Sequence, residues 1–112
     1  MTAINQNFSI YQGDNLTIKV YLSYQDGTPF AIIGAGARWR MARNNRSSHI
    51  LEKIPALSTD GGKSIATVEF TPIDTESTTS GDYYHEMEVV DIDGKVFTVT
   101  VGTVSIRRTI IK

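Results

Sequence analysis

Cysteine is absent from this 112-residue chain, so neither a disulfide framework nor a thiolate metal site can hold it together. A hydrophobic core must do so, and a single domain of this length buries roughly 65% of the surface its unfolded chain exposes. We therefore expect one domain spanning residues 1–112. Charge of one sign is also missing: eleven Lys and Arg stand against twelve Asp and Glu, for a net charge of −1. No large field draws such a chain to nucleic acid or to an anionic membrane. The longest apolar run, residues 30–37, is broken by Gly34 and Gly36 and falls far short of the ~20 residues needed to span a bilayer. Residues 1–7 lack the order of a secretory signal, a basic region followed by an apolar stretch. That predicts a protein made in and used from the cytoplasm.

What the chain does have is period-two alternation. Leu16, Ile18, Val20, Leu22 and Tyr24 alternate with Thr17, Lys19, Tyr21 and Ser23, which predicts a half-buried strand. Ala37, Trp39 and Met41 alternate with Arg38 and Arg40 in a second one, with Trp39 at the centre of the core. A tryptophan there buries some 150–250 Å². Residues 8–11, 50–54 and 65–70 read as further strands, residues 30–35 as an edge strand or extended crossing, and residues 59–63 as a turn. The polar segment 71–80 is too short for a stable helix and predicts a crossing between sheets, with a single helical turn begun near Asp74. Tyr83, at the start of the next strand, stands where a tyrosine corner would bond back to that crossing.

The last third carries the most specific local prediction. Tyr83, His85, Met87 and Val89 alternate with Tyr84, Glu86 and Glu88, and Phe97, Val99 and Val101 alternate with Thr98 and Thr100. The two apolar sets share a face only if the connecting loop has an odd number of residues. Asp91 at the first turn position and Gly94 at the last fit a three-residue loop closed by a left-handed glycine. A two-residue turn at Asp93-Gly94 would oppose Val99 to Glu88 and is rejected. The sum is an all-β chain, expected to form an immunoglobulin-like antiparallel β-sandwich of seven to eight strands.

Candidate chemistry is sparse. Asp91-Ile92-Asp93-Gly94 resembles the start of a calcium loop, but the acidic residue such a loop needs downstream is missing. Of the two histidines, His85 reads as a core-edge residue with a hydrogen-bond partner, and His49 sits in a polar loop. No nucleophile, base and orienting group recur together, so we expect no enzymatic activity and no cofactor or metal. Possible contact residues remain. Arg38, Arg40, Arg43 and Arg46 are the one basic cluster, and Tyr21 and Tyr84 are the aromatics expected to point outward from strands. Two tyrosines on one sheet would suit either protein docking or a sugar platform. Trp39, Tyr83 and Gly94 are expected to be structural.

Tyr11-Gln12-Gly13-Asp14-Asn15, Asp26-Gly27-Thr28-Pro29-Phe30, Ala37-Arg38-Trp39-Arg40, Thr71-Pro72, Gly81-Asp82-Tyr83-Tyr84 and Asp93-Gly94-Lys95 follow one another along nearly the whole chain. This order resembles the immunoglobulin-like β-sandwich domains of siphophage tail-fibre collar and baseplate attachment proteins. Where that family often shows Asp-Leu-Thr after the apolar residue, this chain has Ala31-Ile32-Ile33. The resemblance implies a structural component of a phage or prophage tail, made in the host cytoplasm, that joins other tail proteins and self-associates. It implies no catalytic residue. The alternative expectation, from a different class, is a carbohydrate-binding or adhesive module using Tyr21, Tyr84 and the loop near Arg43 and Arg46.

Overall fold

The computed structural model describes residues 3–111 and is a two-sheet β-sandwich. Among the described residues there are nine strands and one helical turn: β1 (Ile4–Asn5), β2 (Phe8–Tyr11), β3 (Leu16–Leu22), β4 (Gly36–Ala42), β5 (His49–Lys53), β6 (Ala56–Asp60), β7 (Lys63–Phe70), α1 (Pro72–Thr75), β8 (Gly81–Val90) and β9 (Val96–Arg107). One sheet has the order β1-β9-β8-β4-β5, with β2 also on β9, and the other is β3-β7-β6. Counting β1 and β2 as one interrupted edge strand gives eight. All pairings are antiparallel except those of β1 and β2, which run parallel to β9.

The alternating residues of β3, β4, β7 and β8 face inward and meet around Trp39, which is 2% exposed. Phe70 lies edge-on to its indole at 5.0 Å between centroids, and Phe8 closes another side. Aromatic pairs in this arrangement add to the area they bury. The polar segment after β7 crosses between the sheets through α1. There Asp74 accepts from the Thr71 N–H at 2.8 Å and from Lys53 Nζ at 2.9 Å. Burial pushes the Asp74 carboxyl up, but those hydrogen bonds and the lysine charge outweigh it and hold the group below the ordinary range. The Tyr83 hydroxyl donates to the Thr79 carbonyl, as a tyrosine corner requires.

The β8–β9 loop has the anticipated geometry. Gly94 has φ of 83°, its N–H donates to Asp91 O at 3.0 Å, and Asp91 N–H donates to Lys95 O at 3.0 Å. Three residues separate that pair, so Val89 opposes Phe97.

Four features depart from the sequence reading. Residues 30–35 form no edge strand but cross from one sheet to the other, the second of the two expectations; a single bridge joins Ser23 and Pro29, and Phe30 is buried with Tyr24 and Phe97 beside it. Residues 56–60 form the edge strand β6, and the expected turn at 59–63 shrinks to Gly61-Gly62, with φ of 57° and 78°. Such a pair of left-handed residues makes a two-residue hairpin. The alternation in β9 also breaks. Met87 opposes Thr100 and Glu88 opposes Thr98, which leaves Val99 as an extra residue. This bulge shifts the inward set from Phe97 and Val99 to Thr100, Val104 and Ile106, so Val101 is not in the core. Finally, β1 and β2 are separated where Gln6 and Asn7 pass over Gly102. The Gln6 N–H donates to Val101 O at 2.7 Å, and the Asn7 side chain takes the Thr103 N–H at 2.9 Å in place of a backbone carbonyl.

Candidate binding surface

The outer face of the larger sheet is a ladder of charged pairs, because β4 and β8 each alternate and their register aligns the polar sets. Arg38 opposes Glu88, Arg40 opposes Glu86 and Ala42 opposes Tyr84. On the other side, Arg40 opposes Glu52 of β5. Arg40 Nε donates to Glu52 Oε2, and Arg38 reaches the same carboxylate at 3.7 Å and Glu88 at 4.0 Å. The hydrogen bond from Arg40 is the main reason the Glu52 carboxyl lies below the ordinary range; the charges of Arg40, Arg38 and His49 add to it against a desolvation cost. The Tyr84 hydroxyl donates to Glu86 Oε2 at 3.0 Å. Burial, then that hydrogen bond and the carboxylate charge, push the phenol up.

Of the expected contact residues, the structure brings Arg38, Arg40 and Tyr84 together on this face. Tyr21 is not with them. It stands 59% exposed on β3 in the other sheet, with Lys63 Nζ 5.5 Å from its ring centre. The two tyrosines therefore cannot form one platform. Arg43 turns around the end of β4 to lie 6.0 Å over the Tyr83 ring, on the inward side of β8. Arg46 lies exposed in the 43–48 loop, where its N–H donates to Asn44 Oδ1 at 2.9 Å.

Two features escaped the sequence reading. His49 is the first residue of β5, not a loop residue. A register shift between Met41 and Ala42 sets it directly opposite Ala42. The outer face then carries Tyr84, Ala42 and His49 in a row, and the methyl group between two rings leaves a depression of about 340 Å³ walled by the 44–48 loop. The one available signal was a small outward residue, Ala42, ending a strand whose preceding outward side chains are Arg38 and Arg40. The second feature is apolar. At the opposite end of the sheet Ile33 is 84% exposed, Ile92 69% and Val96 58%. Ile92 lies against Gly34, where an added Cβ would meet its Cδ1 at 2.9 Å, so the 30–35 loop and the β8–β9 loop form one tip.

His85, opposite Gly102 on the inner side, is fully buried. Its Nδ1 accepts from Trp39 Nε1 at 3.2 Å and its Nε2 meets Gln6 O at 2.6 Å. Only a neutral ring protonated on Nε2 serves both partners. Burial holds the imidazole pKa down, against the hydrogen bond to Gln6, which raises it. His85 is thus a structural strut. Among the described residues no group of three or more His, Cys, Asp or Glu side chains is placed to hold a metal ion.

No protein-family model matches the chain, and no curated protein does either. Among solved structures the chain is similar, at a TM-score of 0.46 and 13% identity over 94% of its own length, to a family 123 glycoside hydrolase from Clostridium perfringens. It spans 23% of that enzyme, and nothing about activity is carried over.

Proposed function

We propose that this chain is an immunoglobulin-like structural domain of a bacteriophage or prophage tail, an adaptor of the collar or baseplate kind that works by protein–protein assembly. The order of its motifs supports this reading. So does its strand arrangement, with the first strand parallel to the last in one sheet, β3-β7-β6 in the other, and a tyrosine at the corner. The observation that carries it is the tip formed by Ile33, Ile92 and Val96. Exposed apolar residues clustered at one pole, beside a sheet whose outer face is charged, are a contact surface awaiting a neighbour.

The partners on this reading are other tail proteins and further copies of the chain, in the virion tail after synthesis in the host cytoplasm. A repeated interface suits the symmetry of such assemblies. The test is co-expression with the products of the neighbouring genes. A tail protein should co-purify with the wild-type chain and be lost with Ile33→Asp plus Ile92→Asp. Neighbouring genes of metabolism and no co-purifying tail protein would overturn the proposal.

A further inference from the structure

We propose that the depression over Ala42 binds a neutral, hydroxyl-rich ligand, a pyranose sugar as a monosaccharide or disaccharide. Its size comes first. At about 340 Å³ it sits at the lower end of the roughly 300–1,000 Å³ of small-molecule sites. Ala42 forms its floor: the methyl group between Tyr84 and His49 leaves a gap that a larger side chain would narrow.

The chemistry of the wall selects the ligand. Glu86 supplies acceptors, Arg40 supplies donors, and the asparagine and serine side chains of the 44–48 loop supply both. A sugar hydroxyl donates and accepts at one oxygen, so a vicinal diol satisfies such a mixed wall. A purely anionic group would meet Glu86 with Glu52 close behind, and a cation would meet Arg40. Neutral ligands escape both penalties. Two of the contact groups are already held: Arg40 by Glu52, and Tyr84 by its hydrogen bond to Glu86. A ring fixed in this way borders the depression and can receive the C–H surface of a pyranose with little ordering cost.

The experiment is an NMR titration of the full chain, labelled with nitrogen-15, using glucose, galactose, N-acetylglucosamine and maltose as neutral probes and glucuronate and glucosamine as charged ones. Concentrations should reach about 50 mM, well above the Kd on the order of 1 mM expected of so small and polar a contact. At least one neutral probe should give saturable shifts confined to the amides of residues 42–49 and 84–86, with the charged probes weaker. Asn45→Ala should weaken binding at least about fivefold at an unchanged melting temperature. Ala42→Leu should weaken it by narrowing the gap. If Ala42→Leu fails to fold, Asn45→Ala decides.

No saturable shift with any neutral probe, tighter binding of a charged one, or undiminished binding by a folded Ala42→Leu would overturn the proposal. Assembly and sugar binding fail separately, because the mass of the same sample by light scattering reports the first alone.

Discussion

Gly102 and Gly36 are both strand glycines with ordinary extended backbone, yet the structure predicts opposite outcomes for alanine at the two. A Cβ on Gly102 would lie 2.0 Å from Gln6 O, 2.7 Å from Gln6 C and 2.8 Å from Asn7 Oδ1. Relief requires the Gln6-Asn7 segment to move outward by more than an ångström. That strains three bonds together: Gln6 O to His85 Nε2, Gln6 N–H to Val101 O, and Thr103 N–H to Asn7 Oδ1. At about 0.5–1.5 kcal/mol net for each, the loss is about 2–4 kcal/mol. For a domain of this size that lowers Tm by roughly 8–20 °C. Gly36 has nothing within 4 Å of its added Cβ, so Gly36→Ala should stay within about 0.5 kcal/mol of wild type.

Thermal unfolding followed by circular dichroism measures both variants. Amide exchange should locate the Gly102→Ala damage in residues 4–11 and beside His85 on β8, since the β3 and β7 contacts do not depend on Gln6. A Gly102→Ala variant with unchanged Tm and unchanged exchange in that segment would refute the reasoning.

Gly94 and His85 give two further outcomes. Gly94→Val should cost about 1–2 kcal/mol. Nothing lies within 4 Å of the added Cβ, so the cost comes from the φ of 83° alone, and an unchanged Tm would show that the three-residue loop is wrong. His85 should make the fold sensitive to mild acid. Its folded pKa lies below the ordinary 6.5, so the unfolded chain takes up the proton first. Stability is then full above pH 6.5 and declines below it, by at most about 1.4 kcal/mol per pH unit, until the folded pKa is passed. Melting at pH 7.5 and pH 5 should show this fall in wild type and a smaller one in His85→Gln; equal falls would contradict it.

Most of the fold was legible in the sequence, because β3, β4 and β8 each have one buried and one wetter face, and period two records that directly. The Gly94 loop was legible because parity links its length to the pattern on both sides. β6 was not, since Ala56-Leu57-Ser58-Thr59-Asp60 is an edge strand with a single apolar side chain facing in. The β9 bulge was hidden because Val99, Thr100 and Val101 fit either phase. The polar bonds inside the core are long-range: Trp39 to His85 spans 46 residues and His85 to Gln6 spans 79. Nothing local encodes them. The same holds for Tyr21 and Tyr84, which alternate as well as each other and are set on different sheets by three crossings of the chain, after β3, after β5 and at α1. His49 needed the Met41/Ala42 register shift to reach the outer face, and a bulge leaves no trace in a residue count.

Assembly through the apolar tip is the central claim, and light scattering of the purified chain after size exclusion tests it most directly. The account predicts a mass several times the 12.4 kDa of one chain, falling to a folded monomer with Ile33→Asp plus Ile92→Asp while circular dichroism stays unchanged. A wild-type monomer at all concentrations, or a multimer indifferent to those two charges, would contradict it.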